Sequence, residues 1–150
     1  MNNVEKVFIT GSSGGIGSAI TKKFIDSGHK LILISSSKEK LSTIKNKYGE
    51  LHSYYHLDLS DLSLITSRMN EISNEHPDIS IVINNAGMTS DNLLLRMKLE
   101  QWQEVINTNL SSNFAIIKSI LPNMIKNKKG KIVGISSVVA LSGNPGQSNY

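Results

Sequence analysis

Short apolar runs alternate with amphipathic segments along the chain of 150 residues. We predict five strands, in chain order VEKVFIT from Val4, LILIS from Leu31, LHSYYHLDL from Leu51, ISIVINNAG from Ile79 and KIVGISS from Lys131. Most of these runs are apolar at successive positions, which is typical of parallel strands that are covered on both faces. The pattern therefore predicts a buried parallel sheet.

The residues between the strands carry apolar side chains at helical spacing, for example Ile16, Ile20 and Phe24. We predict helices from Gly15 to Ser27, from Lys38 to Gly49, from Ser60 toward Pro77 and from about Glu100 through Lys128. Pro122 lies inside the last of these, where it should produce a kink or a turn because proline lacks a backbone N–H.

Regular alternation of strands and helices predicts an α/β fold of Rossmann type, with a doubly wound parallel sheet. In this interpretation residues 1–150 belong to one domain, because 39% of them are hydrophobic and no linker, repeat or low-complexity segment divides them.

Composition and charge argue against several classes of partner. No apolar run approaches the ~20 residues of a membrane helix, the start MNNVEKVFIT lacks a signal-peptide pattern, and cysteine is absent, so we expect a cytoplasmic protein and no membrane partner. The net charge of +4 comes from lysines spread along the chain without a nucleic-acid motif, so we expect no nucleic acid partner. His52 and His56 would lie about 13 Å apart in a strand that rises ~3.3 Å per residue, so we expect no metal.

A glycine-rich turn, TGSSGGIG from Thr10 to Gly17, joins the first predicted strand to the first predicted helix. In such a turn, backbone N–H groups can approach a pyrophosphate at the positive end of the helix. Three residues separate Gly11 from Gly15, which differs from the plain G-x-G-x-x-G spacing. We interpret the turn as a dinucleotide-binding loop.

Further motifs follow in chain order. Asp58 follows the third predicted strand, NNAG ends the fourth, Asn109 lies in NTNL, and Tyr150 comes 13 residues after Ser137. With the glycine-rich turn, these motifs resemble the short-chain dehydrogenase/reductase family over essentially the whole chain. Within that family, DNLLLRM, TNLSSNF and ISSVVALSGNPGQSNY are most similar to the 3-oxoacyl-(acyl-carrier-protein) reductases.

The resemblance implies an NADPH-dependent oxidoreductase that reduces a 3-oxoacyl group on acyl carrier protein to the 3-hydroxyacyl form in fatty-acid biosynthesis. It also implies a homotetramer when the chain is complete. Two alternatives stay open: a short-chain reductase for another ketone or alcohol, and a nucleotide-binding protein without catalysis.

The resemblance assigns contacts with NADPH/NADP+ to the glycine-rich loop and to the ends of the following strands. The implied cofactor-binding residues are Gly11, Ser12, Ser13, Gly14, Gly15, Ile16, Gly17, Ser36, Asp58, Leu59, Asn85, Ala86, Gly87 and Tyr150.

The choice of NADPH rests on the residues that follow the second strand. An acidic side chain there would accept from the ribose 2′-hydroxyl of NAD and repel a 2′-phosphate. This chain has the three serines 35–37 followed by Lys38, and hydroxyls with a cation suit a phosphate. Gly14 departs from this pattern, because it stands where many NADPH-dependent relatives place an arginine.

The implied catalytic residues are Asn109, Ser137 and Tyr150. Ser137 would also bind substrate by holding the carbonyl oxygen, and Tyr150 would give a proton to the alkoxide that hydride transfer leaves. Asn109 would support a water chain toward a lysine, which in the family lies four residues after the tyrosine, beyond position 150. We therefore expect a C-terminally truncated domain, a fragment that is inactive by itself.

The lysine-rich segment KNKKGK allows two interpretations. As a helix end it would complement the helix dipole, with Gly130 as the left-handed cap. As a docking surface, Lys128 and Lys129 would steer the acidic acyl carrier protein.

Five apolar residues also allow two interpretations, because they either line an acyl channel or pack in the core and at a subunit contact: Met88, Leu93, Leu94, Leu95 and Met97.

Overall fold

The computed structural model describes residues 4–150, and the first three residues of the MNNVEKVFIT segment lie outside the described part. Five parallel strands form one sheet: β1 Lys6–Ile9, β2 Lys30–Ser35, β3 Ser53–His56, β4 Ile79–Asn84 and β5 Lys131–Gly134. Their order across the sheet is β3-β2-β1-β4-β5, so the chain winds outward from β1 in both directions. The predicted doubly wound parallel sheet is confirmed.

Helices connect the strands. Residues 4–150 contain α1 Gly15–Asp26, α2 Lys38–Tyr48, α3 Leu62–Glu75, α4 Leu99–Ile106, α5 Ser112–Lys126 and α6 Val139–Ser142. A 3₁₀ turn, Leu94–Arg96, precedes α4, and a π-helix, Asn107–Ser111, joins α4 to α5.

The core has two layers, one on each face of the sheet. Phe8 of β1 packs in the layer that contains Met69 of α3 and Ile116 of α5. Ile9, the next residue along β1, belongs to the opposite layer with Ile44 of α2. Burial of one such side chain contributes roughly 1.5–3 kcal/mol, so the two layers together hold the strand ends in place.

The start of α3 differs from the prediction by one residue. Asp61, not Ser60, caps the helix, because its carboxylate accepts a hydrogen bond from the Ser63 N–H at 3.0 Å. The hydrogen bond from the Ser63 hydroxyl is the main cause that lowers the pKa of Asp61, and hydrogen bonds from the backbone N–H groups of Ser63 and Leu64 add a smaller effect. Ser60 instead donates its N–H and its hydroxyl to Asp58 Oδ1, at 2.9 and 2.8 Å.

The long helix predicted from Glu100 through Lys128 is interrupted, but at a different place from the one expected. The π-helix Asn107–Ser111 divides it into α4 and α5, and α5 continues through Pro122 to Lys126. Single turns of π-helix occur often at functional sites, and this one carries Asn109.

The cap of α5 also corrects the sequence interpretation. Lys128, not Gly130, adopts the left-handed conformation, with φ 50°. The N–H of Lys128 bonds to the Ile125 carbonyl and that of Lys129 to the Met124 carbonyl, which is the Schellman pattern of a helix end. Gly130 is small for another reason: a Cβ there would lie 2.7 Å from Met124 Sδ.

Burial of His52 predicts a loss of stability in acid. His52 is 7% exposed, and its Nδ1 accepts a hydrogen bond from the Leu31 N–H at 3.2 Å. Burial lowers the pKa of His52, so the unfolded chain binds the proton more tightly than the folded chain. The free energy of unfolding should therefore fall as the pH drops below about 6.5, by at most ~1.4 kcal/mol per pH unit from this group.

Urea unfolding followed by circular dichroism from about pH 8 to about pH 5 checks this expectation. His52→Gln keeps a hydrogen-bond acceptor without titrating in this range, so it should flatten the pH dependence. His56→Gln, at the exposed last residue of β3, is the matched control for the substitution itself. An unchanged slope in His52→Gln would assign the acid sensitivity to His76, whose pKa burial also lowers.

Candidate functional site

A cleft of about 790 Å³ runs along the carboxyl ends of the central strands. This is the position where open α/β sheets bind their ligands. The predicted cofactor residues that line it are Gly11, Ser13, Gly14, Gly15, Ile16, Gly17, Ser36, Asp58, Leu59, Asn85, Ala86 and Gly87. The structure thus brings residues from four strand ends to one cavity.

Two glycines shape the loop between β1 and α1. Gly11 has φ 63°, in the left-handed region, and a Cβ there would lie 2.9 Å from the Ala86 Cα. A Cβ on Gly17 would lie 2.0 Å from the Gly11 carbonyl oxygen. The first turn of α1, the loop and the NNAG segment therefore approach one another more closely than side chains would allow.

Thr10 ties the loop to the NNAG segment. Its hydroxyl oxygen accepts hydrogen bonds from the N–H groups of Asn85 and Ala86, both at 3.0 Å. The side-chain Nδ2 of Asn85 donates in turn to the carbonyl oxygens of Thr10 and Gly11, both at 3.1 Å. Asn85 therefore also holds the loop backbone. Thr10 is fully buried and was not among the predicted site residues, although it begins the glycine-rich motif.

Ser12 lies apart from the other residues of the loop. It is fully buried and does not line the cleft, and both its N–H and its hydroxyl donate to the Ile34 carbonyl, at 3.1 and 3.0 Å. In this structure Ser12 attaches the loop to β2 on the side away from the cleft, while its neighbours Ser13 and Gly14 line the cleft.

A second cavity of about 450 Å³ adjoins the first, because Ile16, Asn85, Ala86 and Gly87 line both. All three predicted catalytic residues, Asn109, Ser137 and Tyr150, line this second cavity. They come from the π-helix, from the segment after β5 and from the end of the chain. The spatial grouping that their order in the sequence suggested is therefore present.

Asn109 is fixed by two hydrogen bonds to one residue. Its Oδ1 accepts from the Met88 N–H at 2.9 Å, and its Nδ2 donates to the Met88 carbonyl at 2.8 Å. Both polar atoms of the side chain are thus engaged, and the Asn109 carbonyl accepts from Asn113 Nδ2 at 2.7 Å. Asn113 also lines the cavity, and its buried Oδ1 has no partner within residues 4–150. Sequence reasoning did not single out Asn113, although it lies in the TNLSSNF segment, because nothing in the local pattern shows that its side chain bonds to the Asn109 carbonyl.

The segment before Tyr150 is anchored on the loop that precedes α4 and on the first turn of α4. Asn149, which is buried, donates from Nδ2 to the carbonyls of Ser90 and Gln101, at 3.0 and 3.1 Å. Gln147 Nε2 donates to both carboxylate oxygens of Asp91, at 3.2 and 3.0 Å. These contacts hold Tyr150, which is 45% exposed, at the mouth of the second cavity.

The leucines of the DNLLLRM segment do not belong to the core. Leu93, Leu94 and Leu95 are 57%, 68% and 97% exposed, so they do not pack in the core of residues 4–150. That they line an acyl channel or a subunit contact stays a prediction. Leu94 and Leu95 lie in the 3₁₀ turn Leu94–Arg96, and Leu93 directly precedes it. Met88, by contrast, lines the large cleft.

Lys128 and Lys129 lie at the opposite edge of the sheet from the cleft. Lys129 Nζ forms an ion pair of 2.8 Å with Glu5, which directly precedes β1, and both lysines lie within three residues of the start of β5. The side chain of Glu5 has a lowered pKa, first because of the hydrogen bond from Lys129 and then because of that from Ser80.

Residues 4–150 contain neither a metal-binding cluster nor a helix that could span a membrane. No group of three histidine, cysteine, aspartate or glutamate side chains is placed to hold a metal ion. Each helix in this part of the chain is too short or too polar to cross a bilayer.

Comparison with known proteins agrees with this geometry. The family model described as short chain dehydrogenase matches residues 5–150. The 3-oxoacyl-(acyl-carrier-protein) reductase FabG of Buchnera aphidicola is 44% identical over 149 residues, which are 99% of this chain and 61% of that protein. The reductase of the same name from Escherichia coli K12 is 40% identical over 142 residues, 95% of this chain and 58% of that protein. The chain thus spans about three fifths of the length of the curated relatives it matches.

Solved structures share the fold. A 3-oxoacyl (acyl-carrier-protein) reductase from Agrobacterium tumefaciens C58, with NADP bound, superposes with a TM-score of 0.89 at 24% identity and covers 99% of this chain and 58% of that one. A structure titled as a betaketoacyl-ACP reductase superposes with a TM-score of 0.88 at 21% identity and covers 100% of this chain and 61% of that one.

Proposed function

Because the chain belongs to the short chain dehydrogenase family, we propose that its protein is an NADPH-dependent reductase of 3-oxoacyl groups carried on acyl carrier protein. The observation that carries the proposal is the pair of adjoining cavities, one containing the glycine-rich loop and the other Asn109, Ser137 and Tyr150. The names of the relatives, at 38–44% identity, support the choice of substrate.

The residues present fit NADPH. Gly11 and Gly17 keep the loop backbone open, and the first N–H groups of α1 lack carbonyl partners within the helix, as at any helix start. We assign the pyrophosphate to this loop, the adenine to Asp58 and Leu59, and the nicotinamide side of the cofactor to Asn85, Ala86 and Gly87. When bound, the reduced nicotinamide supplies the hydride.

Three side chains would then act on the substrate. The Ser137 hydroxyl donates a hydrogen bond to the 3-oxo group and orients it. The Tyr150 phenol donates the proton that the resulting alkoxide requires. Asn109 acts as a positioning residue: its side chain is fully engaged with Met88, which fixes the π-helix on the wall of the second cavity.

The test is expression of the complete reading frame that contains these residues, followed by NADPH absorbance with an acetoacetyl thioester. We expect NADPH loss that depends on the thioester. Turnover with a different ketone and none with the thioester would favour a short-chain reductase of other specificity. Binding of NADPH without any turnover would favour a nucleotide-binding protein.

We also propose that Lys128 and Lys129 attract the acidic acyl carrier protein and that the complete protein is a homo-oligomer, a tetramer as the resemblance implies. Both lysines lie at the sheet edge opposite the cleft. A carrier protein docked at these lysines could deliver its acyl group only to the cleft of a neighbouring subunit that lies beside that edge. The docking proposal therefore depends on the proposed oligomer.

Charge reversal at Lys128 tests docking most directly, because Lys129 is held by Glu5 and its replacement would also remove an ion pair. Lys128→Glu should raise the KM for carrier-bound substrate several-fold and leave the KM for a small thioester unchanged, since only the carrier is acidic. Lys126→Glu, in the last turn of α5, is the neighbouring control. Equal effects on the two substrates would refute docking at Lys128.

A further inference from the structure

The carboxyl end of β2 forms one end of the large cleft. Ser35, Ser36 and Lys40 line the cleft there, together with Ser13 and Gly14 of the glycine-rich loop. Lys38, which the sequence suggested as the cation of this region, is exposed and does not line the cleft. The cation at this position in the structure is therefore Lys40.

Helix geometry explains the difference between the two lysines. Both lie in the first turn of α2, and residues two apart on a helix face nearly opposite directions, since each residue turns the helix by about 100°. Ser37 fixes the rotation of this turn, because its hydroxyl oxygen accepts from the Lys40 N–H at 3.2 Å.

Hydroxyl groups hold the segment before α2 in place. A hydrogen bond of 2.9 Å joins the hydroxyls of Ser13 and Ser35, and Ser35 Oγ also accepts from the Ser37 N–H at 3.2 Å. A third contact joins His56 Nε2 to the Ser36 carbonyl at 3.0 Å. The turn that presents Ser36 and Lys40 to the cleft is thus tied both to the glycine-rich loop and to β3.

The charges around this end of the cleft favour an anion. Lys40 forms no ion pair within the described residues 4–150, so its ammonium is not neutralised by a carboxylate of this part of the chain. The neighbouring carboxylate, Glu39, accepts from the Ser37 hydroxyl at 2.9 Å and does not line the cleft. At the end of β2, where an acidic side chain would repel a phosphate, the chain has Ser36.

We propose that Lys40 is the residue that selects NADPH over NADH, by pairing with the 2′-phosphate of the adenosine ribose beside the hydroxyl of Ser36. This inference rests on the proposed nicotinamide cofactor. It assigns to α2 the cation that Gly14 does not provide in the glycine-rich loop.

Binding of NADPH and NADH, which differ only in the 2′-phosphate, tests the inference without a catalytic readout. We would titrate each dinucleotide into the complete protein and follow nicotinamide fluorescence. Lys40→Met should weaken NADPH binding by about 10-fold or more, the range of a charge-assisted hydrogen bond, and leave NADH binding unchanged. Lys40→Arg should retain the preference for NADPH. Lys38→Met, two residues away on the same exposed turn, is the matched control and should bind both as the unaltered protein does.

The outcomes separate the two levels of the proposal. If the unaltered protein binds both dinucleotides and Lys40→Met weakens them equally or not at all, the role of Lys40 is refuted and the nucleotide site stands. If the unaltered protein binds neither dinucleotide, the proposed function itself is refuted, and the role of Lys40 with it.

Discussion

Replacing Tyr150 with phenylalanine in the complete protein is expected to lower kcat by about 10²–10⁴-fold, the usual contribution of a general acid. The phenol is the proton donor that we place in the second cavity, beside Ser137 and Asn109. Phenylalanine keeps the ring and removes only the hydroxyl. Because Tyr150 is 45% exposed, the change should have little effect on stability.

The measurement is kcat from NADPH absorbance at saturating thioester, together with the Kd for NADPH from fluorescence. We expect kcat to fall far more than the affinity for NADPH. Tyr48→Phe is the control, since Tyr48 packs against the core layer on the α1 and α2 face, away from both cavities. A Tyr150→Phe protein that keeps its kcat within about threefold would remove Tyr150 from the role of acid.

Much of the fold could be predicted because its signals are local. Apolar runs such as that of β4 are buried over their whole length, and the alternation with helices leaves few possible topologies. The residues of the site could be grouped for the same reason. In a parallel sheet the carboxyl ends of the strands meet at one edge, so Gly11, Asp58 and Asn85 had to come close together.

The parts that could not be predicted depend on contacts between distant residues. The π-helix arises where Asn109 bonds to Met88, 21 residues earlier in the chain, whereas the visible helix breaker was Pro122. The choice of Lys40 over Lys38 depends on the rotation of α2, which Ser37 sets through its cap hydrogen bond. A cap position moved by two residues would have turned the helix by about 200° and reversed that choice.

The helix end at Lys128 shows a limit of residue preference. Glycine is the usual residue in the left-handed position after a helix, so Gly130 was the natural candidate. The helix ends two residues earlier, and Lys128 takes the conformation instead. At Gly130 an added Cβ would press against the Met124 side chain, a contact that composition and local pattern do not show.

Gly17→Ala is expected to abolish nucleotide binding and to destabilise the fold. The added Cβ would lie 2.0 Å from the Gly11 carbonyl oxygen and 2.7 Å from Asn85 Nδ2. Gly11 has little room to move away from α1, because its other side packs against the Ala86 backbone. A Cβ on Gly11 would lie only 2.9 Å from the Ala86 Cα. Either α1 must move away from the loop or the loop must leave the NNAG segment.

The expected loss of stability is about 1–3 kcal/mol or more, the range of overpacking in a rigid site. The expected loss of NADPH affinity is at least ~100-fold, which corresponds to about 2.7 kcal/mol. Urea unfolding gives the first quantity, and fluorescence titration at a temperature where circular dichroism shows folded protein gives the second.

Gly15→Ala is the matched control for stability. Gly15 is the first residue of α1, and a Cβ there would meet no atom within 4 Å. Alanine has a better helix propensity than glycine by up to ~1 kcal/mol, so this variant should be as stable as the unaltered protein or more so. If Gly17→Ala were equally stable and bound NADPH normally, the close approach of α1 to the loop would not be what shapes the site. The opposite result, with Gly17→Ala impaired and Gly15→Ala stable, would show that the site depends on backbone contact at Gly17 and not on glycine content in the loop.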